Sequence, residues 1–504
     1  MGLFFCSYLR IKLLWRTSGC MLGVWYFRFR RTTILMVACA AFLLGLVLAR
    51  QHLELSVAWI VITGLLTFAV SRQKNFLTIL VAALFCLCLG WYRGQGFLQQ
   101  VLPYQDLSDQ RVVMKVVAES DGAYNDRGQL EFDAGNIEVI DPEEIHLPGR
   151  IKVAGFGVPA VFRNDIVEVE GKLYETRGSR QASIGFAEIR VLEHQTSFID
   201  TIRRKFSTAL LSVLPEPHAS FGLGILIGQR NTLPDDTLKA LSVVGLTHII
   251  AVSGYNLTIL VRFVQRLSAK RSKYQTVLFA GLLITTFLLI TGLSASIVRA
   301  AIVSGLGLLA WYYGRNFRPV LLLLLTAAAT AGWNPLYIWS DIGWYLSFLA
   351  FYGVLVLAPM IVKRYWGDKE PKLLTSVVLE TMCAQVMTVP IILYIFNQLS
   401  LVSIVSNAIV VPLVPIAMVF TLIAGLGGLF MGVLAGLIAF PAKILLTYIL
   451  DVASLISRIP GALVPVKITM LQMFILYVLL IGVSIVLWRK TMHKYGRITE
   501  IEAS

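Results

Sequence analysis

The chain has 504 residues, of which 57% are hydrophobic and only 14% are charged. Soluble domains carry about 25% charged residues, so this balance excludes a soluble enzyme, a disordered protein and a fibrous protein. The formal net charge of +15 comes from 44 basic and 29 acidic residues. In a polytopic membrane protein, such an excess first indicates basic cytoplasmic loops rather than affinity for nucleic acid.

Residues 1–31 form a basic segment that contains Arg or Lys at six positions and no acidic residue. We expect it to be cytoplasmic, and no small-residue pattern typical of a cleavable signal peptide follows its apolar run. Residues 32–103 then contain apolar runs long enough for three transmembrane helices, at about 20 residues a crossing. Three crossings from a cytoplasmic start place the next segment outside the membrane.

Residues 104–197 differ from the rest because short alternating runs are separated by turn-rich stretches, which predicts a small all-β domain of OB-like barrel type. This segment holds 17 acidic and 10 basic residues, a net charge of −7. Residues 198–217 follow with apolar residues at helical spacing and a basic cluster at Arg203, Arg204 and Lys205. That pattern predicts an amphipathic helix lying at a membrane surface.

Residues 218–490 are almost entirely apolar and predict a domain of membrane spans, while residues 491–504 form a cytoplasmic tail. Three basic linkers between its spans fall on the same side if the β-domain is outside. The fold class expected is therefore a polytopic α-helical membrane protein of about 12 spans, at about 20 residues each, with an inserted extracytoplasmic all-β OB-like domain. Both termini would then be cytoplasmic, and the family resemblance given below implies the inner (plasma) membrane.

Polar residues inside apolar spans need a partner, water or a function, because burying them in hydrocarbon is costly. The glycine-broken stretch 222–236 is too short to cross and predicts a half-helix containing Gln229 and Arg230; a plain loop is the alternative. His248, Ser253, Gly254 and Asn256 follow in the next span. Further polar positions fall in the outer half or middle of later spans, and together they indicate a polar vestibule: Arg299, Asp341, Gln398 and Asn407. Helix contacts are the structural alternative in general, and for Arg299 and Asp341 the alternatives are snorkelling to the interface or pairing with each other.

No G-x-x-x-x-G-K-[ST] motif, no HExxH motif and no dense His/Asp cluster occur. We therefore expect no catalytic residue, no metal, no cofactor and no enzymatic activity.

Several motifs resemble those of the ComEC/Rec2-type competence proteins, and they occur in that family's order. They are Gly245-Leu246-Thr247-His248 through Ala251-Val252-Ser253-Gly254, Thr291-Gly292-Leu293-Ser294 with Arg299-Ala300-Ala301, Asp341 through Phe348, and Gln398 through Ser400 with Asn407 and Pro412. The resemblance implies a channel that passes single-stranded DNA into the cytoplasm during natural transformation. Many members continue into a metallo-β-lactamase-like domain, whose motif is absent from these residues, so strand degradation is expected from a separate nuclease.

The resemblance also implies partners: single-stranded DNA, membrane lipid, an extracytoplasmic DNA receptor and a cytoplasmic ATP-driven translocase. The polar positions named above become candidates for lining or gating the path. OB-folds often bind single strands through basic grooves and aromatic platforms. Arg150, Lys152 and Arg163 are the weak candidates for such binding here, although the acidic β-domain favours a spacer or partner-docking role.

Two other classes of function remain open from the residues. Broken helices with buried polar groups also suit a secondary transporter of a small anionic or lipid-linked substrate. An envelope scaffold protein, with the β-domain as its docking surface, is the other alternative.

Overall fold

The computed structural model describes most of the chain between residues 29 and 501. The described residues are 29–51, 54–73, 75–124, 128–156, 160–175, 178–195, 198–228, 233–250, 257, 260–261, 264–265, 267–268, 271–291, 295–314, 318–367, 369 and 371–501. The chain divides into two compact units. The first unit is Met1–Leu102 with Leu324–Trp339, and the second is Pro103–Leu323 with Ser340–Ser504.

The helices and strands below are numbered in chain order. The helices are α1 Arg31–Leu48, α2 Val57–Val70, α3 Phe76–Asp106, α4 Phe198–Val213, α5 His218–Ile227, α6 Asp235–Val243, α7 Thr247–Ile250, α8 Lys273–Thr291, α9 Ala295–Tyr312, α10 Pro319–Trp333, α11 Leu336–Ser340, α12 Ile342–Tyr352, α13 Ala358–Tyr365, α14 Leu373–Phe396, α15 Ser403–Val410, α16 Val414–Phe430, α17 Ala435–Ser457 and α18 Met470–Ile501. The strands are β1 Arg111–Ala118, β2 Ala123–Tyr124, β3 Leu130–Asp141, β4 Ile145–Phe156, β5 Ile166–Glu175, β6 Ala182–Glu193, β7 Gln398–Ser400 and β8 Leu463–Pro465.

Long apolar helices make this a polytopic helical membrane protein. Among the described residues, 8 helices are long and apolar enough to cross a bilayer, against the roughly twelve spans predicted at about 20 residues each. Apolar helices that fall short of that length include α2, α8 and α10. The predicted span that carries His248 begins with a turn, and α7 starts only at Thr247 because Gly245 takes a positive φ of 73°.

The β-region occupies the predicted segment and closes on itself. Its strand order is β1-β5-β6-β4-β3-β2, and an additional β1–β3 pairing completes the ring. Strands β4 and β6 pair in parallel, whereas the other neighbours pair antiparallel. The alternating side chains predicted from the sequence fill one shared interior, with Val112, Met114, Ile151 and Val169 all fully buried. We call this element the barrel.

The half-helix expected near residue 222 is α5, a helix of 10 residues whose positions 219–227 are all buried. Ten residues rise about 15 Å, about half of the hydrocarbon thickness. The helix ends at Gly228, whose left-handed φ of 77° suits glycine. A Cβ on Gly222 would lie 2.9 Å from Cγ2 of Thr421, so α5 packs closely against α16 in the core of the second unit.

Helix α4 covers the predicted amphipathic segment, but two of its three clustered basic residues have protein partners. Arg203 pairs with Asp121 of the barrel at 3.0 Å, and the Arg204 guanidinium lies 4.1 Å from the centre of the Phe162 ring. On its other side, α4 contacts Gly425 of α16 through Phe206. A 3-10 turn, Val411–Leu413, separates α15 from α16 within one apolar stretch of membrane-crossing length, Ser403–Phe430.

In the first unit, α1 and α3 cross at glycines. A Cβ on Gly45 would lie 2.1 Å from the carbonyl oxygen of Leu87, and one on Gly90 would lie 2.1 Å from that of Phe42. Both obstacles are backbone atoms, which cannot rotate away. The two helices therefore approach through small residues, as membrane helices often do.

Gly45→Ala and Gly90→Ala are expected to destabilise the protein by about 1–3 kcal/mol each, because overpacking forces the helices apart. Thermal unfolding of purified protein in detergent measures the effect. Gly96→Ala in the same α3 is the control, since nothing lies within 4 Å of its added Cβ. That control should be neutral or stabilising because Ala favours helix over Gly. Equal melting temperatures for all three variants would contradict the crossing.

Candidate functional site

The turn at Gly245 is held against α15. Gly245 has a positive φ of 73°, and a Cβ there would lie 2.8 Å from Cβ of Ser403. The Ser406 hydroxyl donates to the carbonyl oxygen of Val244 at 2.7 Å. Any larger residue at 245 would therefore meet both backbone strain and a steric obstacle. His248 follows one turn later with an exposed side chain, and its Nδ1 lies 3.1 Å from the Gly245 carbonyl oxygen.

Polar side chains gather around Ser403, at the start of α15. Gln385 of α14 donates through Nε2 to the Ser403 carbonyl oxygen at 3.3 Å, and the Ser403 hydroxyl donates to the Ser400 carbonyl oxygen at 2.9 Å. Asn407 lies four residues after Ser403, on the same face of α15. We call this group the polar cluster; its members are Gln385, Ser400, Ser403, Ser406 and Asn407.

The polar cluster contains buried atoms that lack hydrogen-bond partners. Asn407 is 1% exposed, and neither its Nδ2 nor its Oδ1 has a partner. Gln385 Oε1 and Ser400 Oγ, in the same part of the described chain, are likewise buried without a hydrogen-bond partner. A buried polar group left unsatisfied costs about 1–3 kcal/mol, and native structures rarely contain several together. The arrangement suits water or a polar solute.

Gln398 lies beside the cluster in a two-stranded ribbon. It belongs to β7, which pairs antiparallel with β8, and its Cα partner is Pro465. The ribbon joins the loop before α15 to the loop before α18, so both loops lie at one end of the domain. Gln398, Asn407 and the Gly245 turn are thus brought into one neighbourhood.

Arg299 and Asp341 meet at Gly343, at the start of α12. Asp341 caps that helix, since its Oδ1 accepts from the Gly343 N–H at 2.9 Å. Arg299 Nη2 donates to the Gly343 carbonyl oxygen at 3.1 Å. Arg299 is only 2% exposed, so its guanidinium faces protein. The two residues are brought together, but through a shared helix terminus rather than as a pair offered to solvent.

The Asp341 end of α12 also contacts the barrel. The Ser340 hydroxyl donates to the Gly178 carbonyl oxygen at 2.7 Å. Nearby Arg180 donates to Asp133 at 2.7 Å. Burial lowers the pKa of the Arg180 guanidinium, but the hydrogen bond and charge of Asp133, with a smaller contribution from Asp341, outweigh it and raise the pKa above its usual value.

The weak DNA-binding candidates do not form a free basic patch. Arg150 pairs with Glu119 at 2.7 Å, and Lys152 pairs with Glu131 at 2.6 Å. Burial raises the pKa of Glu119 even though Arg150 opposes this. Arg163 lies in a separate loop, where its backbone N–H donates to Asp121 at 3.1 Å. The charges of Arg150 and Lys152 are compensated across the strands.

Five candidates, Gln229, Arg230, Ser253, Gly254 and Asn256, lie outside the described residues. Gln385 was missed by sequence reasoning, although a Gln in the middle of an apolar span is itself a signal. Within the described ranges, no group of three or more His, Cys, Asp or Glu side chains could hold a metal ion.

The fold and its buried polar cluster define a polytopic membrane protein with an inserted β-barrel. The model of the family described as "Competence protein" matches residues 225–491, which include the polar cluster, Arg299 and Asp341. The chain belongs to this family, and the resemblance drawn from its motifs is confirmed.

A curated relative is ComE operon protein 3 of Bacillus subtilis (strain 168). It is 26% identical over 216 residues, which cover 42% of this chain and 27% of that protein. This chain therefore aligns with about a quarter of the relative's length. No solved structure matches the chain.

Proposed function

We propose that this protein is a membrane channel that passes single-stranded DNA into the cytoplasm during natural transformation. The observation that carries the proposal is the polar cluster, where Asn407 is buried and without a hydrogen-bond partner inside the region matched by the competence family. Membership of that family supports the biological role.

A single strand carries about one negative charge for every nucleotide, so it needs a hydrated route through hydrocarbon. The polar cluster offers neutral hydrogen-bonding groups to such a route. Neutral donors and acceptors can replace water around bases and phosphates without trapping the polyanion, as permanent charges would. The channel would perform no covalent chemistry, and its driving force would come from a cytoplasmic ATP-driven translocase.

We further propose that the barrel is of OB type and lies outside the membrane, with both termini cytoplasmic. The five long strands are β1, β3, β4, β5 and β6. Around the barrel they follow the closed order β1-β3-β4-β6-β5, in which β4 and β6 are parallel. A closed five-stranded barrel with this pairing suits the OB class. An extracytoplasmic receptor would deliver the DNA, and a separate nuclease would remove the other strand.

Deletion of the gene in its host tests this function. Entry of labelled donor DNA into the cytoplasm and transformation by a chromosomal marker should both be lost, while DNA bound outside the membrane should persist or accumulate. A plasmid copy of the gene should restore both. Unchanged transformation in the deletion strain would refute the channel, and loss of external DNA binding as well would point instead to a scaffold.

A further inference from the structure

Helix α4 lies between the barrel and α16 of the membrane domain. Its apolar face contacts α16 at two glycines. A Cβ on Gly425 would lie within van der Waals overlap of the Phe206 ring, and one on Gly428 would lie 2.7 Å from the carbonyl oxygen of Ala209. Phe206 is 8% exposed and belongs to the core of the second unit. The fit is therefore close enough to fix both the height and the rotation of α4.

The polar face of α4 contacts one loop of the barrel. This segment, 161–165, lies between β4 and β5 and directly precedes β5, and we call it the docking loop. Its Asn164 donates through Nδ2 to Asp200 at 2.6 Å, and its Phe162 ring lies under Arg204. The Asp121 carboxylate accepts a hydrogen bond from the backbone N–H of Arg163 in the docking loop, and it also pairs with Arg203 of α4. Asp121 thus links the loop to the helix.

The docking contact is buried and preorganised. The side chains of Arg203 and Asp121 are 13% and 23% exposed, and Asp200 is 4% exposed. Within the docking loop, Asp165 accepts from the Phe162 N–H at 2.8 Å and lies 2.9 Å from Nδ1 of His194. Surface ion pairs contribute little, but a pair shielded from water and joined by hydrogen bonds to its neighbours is stronger.

The barrel has a second attachment to the membrane domain through Ser340 and Gly178. Two attachments at different loops resist rotation, whereas a single one would act as a pivot. One attachment contacts α4 and thereby α16. The other contacts the end of α12 where Arg299 and Asp341 meet at Gly343.

We infer that Asp121 and Arg203 are positioning residues for transport. They clamp the barrel to α4, so that the barrel and α16 remain one body while the substrate passes, and the clamp sets where the strand enters the membrane domain. The inference rests on the proposed function, but the clamp can be measured without transport.

A charge-swap series tests the pair in the full chain, expressed in the deletion strain. Asp121→Arg and Arg203→Asp should each lower DNA entry by about tenfold or more at normal membrane levels, within the coupling measured for residues in contact. The double swap should restore entry to within about threefold of the wild type. Lys205→Asp is the matched control, because it makes the same charge change on an exposed position of the same helix and should leave entry unchanged.

A crosslink tests the clamp itself. In an active variant whose six cysteines are replaced, Asn164→Cys and Asp200→Cys should react with a short bifunctional thiol reagent. Reaction should be fast in the parent and slow after either single charge swap. The crosslinked protein should still pass DNA to within about twofold of the uncrosslinked one, because the clamp stays closed during transport.

The outcomes separate the two proposals. If the wild-type gene fails to restore transformation, the channel function is wrong, whatever the crosslink shows. If crosslinking is fast and slowed by the swaps but DNA entry is normal in every swap variant, the positioning role is wrong. If the crosslinked protein is blocked, the barrel must undock during transport and the inference is overturned. Failure of the double swap to restore either entry or crosslinking would also overturn it.

Discussion

Asn407→Leu is expected to lower DNA entry into the cytoplasm by about ten- to a hundredfold. The change removes a buried amide whose Nδ2 and Oδ1 have no partner and puts an apolar group of similar size in its place. When a hydrated route loses one hydrogen-bonding group, passage of the strand becomes less favourable by about 1–3 kcal/mol. Each 1.4 kcal/mol corresponds to about a tenfold change. Transformation frequency and entry of labelled DNA measure this effect at matched protein levels in the membrane.

The same substitution should leave folding stability unchanged or improve it. An unsatisfied amide costs free energy in the folded protein, so its apolar replacement removes that cost. The expected pair of results is therefore unusual: weaker transport by a protein at least as stable as the wild type. Thermal unfolding in detergent, followed alongside the uptake assay, separates a role in the path from a role in packing.

Thr421→Val provides the matched control. Thr421 of α16 is fully buried, and its hydroxyl has no hydrogen-bond partner, but it faces Gly222 of α5 rather than the polar cluster. Its replacement should preserve DNA entry. If both substitutions reduce entry equally, any loss of polarity in the core would be sufficient and the polar cluster would have no special role. If Asn407→Leu transports normally, Asn407 does not line the path.

The sequence was sufficient for the membrane class, the small β-region and the family. Each depends on a pattern spread over many residues, such as strand alternation within 104–197 or the motif that begins at Gly245. Such patterns can be recognised without knowledge of the fold, because hydrophobic periodicity and glycine turns are local properties of the sequence. Gly245 illustrates this, since its positive φ of 73° and its close approach to Ser403 both follow from the absence of a side chain.

Partners across the fold were not predictable. The basic side of α4 suggested a helix at a membrane surface, and nothing in the sequence indicated that Arg203 contacts Asp121, which lies 82 positions earlier in the chain. Arg150 and Lys152 were candidates for DNA until strand register placed Glu119 and Glu131 beside them. A single sequence reports charge and spacing, whereas ion pairing is decided by which strands and helices become neighbours.

The remaining discrepancies concern helices that are interrupted. A window of apolar residues predicts one uniform crossing, but a 3-10 turn at Val411–Leu413 interrupts the span Ser403–Phe430, and α10 ends after 15 residues. Proline and glycine within an apolar stretch mark such breaks without fixing the direction that the chain takes next. Gln385 was overlooked for a related reason: one polar residue barely changes the mean hydropathy of a span, although its burial is what matters.

Arg299→Ala is expected to lower DNA entry by at least about tenfold, the equivalent of about 1.4 kcal/mol. Arg299 is 2% exposed and donates to the carbonyl oxygen of Gly343, where α12 begins and where Asp341 caps it. Its removal should loosen that helix terminus. Arg299→Lys should fail as well, because Lys retains the charge but lacks the planar fork that can hold several acceptors at once. Normal entry with Lys would show that charge alone suffices.

Arg93→Ala distinguishes this role from ordinary structural support. Arg93 of α3 also donates to backbone carbonyls at a helix terminus, those of Gly332 and Trp333, both at 3.0 Å, but it lies in the first unit and outside the family-matched region. Both Ala variants should lower the melting temperature in detergent, since each deprives helix-end carbonyls of a charged donor. Only Arg299→Ala should reduce DNA entry per folded molecule. Parallel losses of stability and entry in both variants would make Arg299 a structural residue, and full entry by Arg299→Ala at normal membrane levels would remove it from the site.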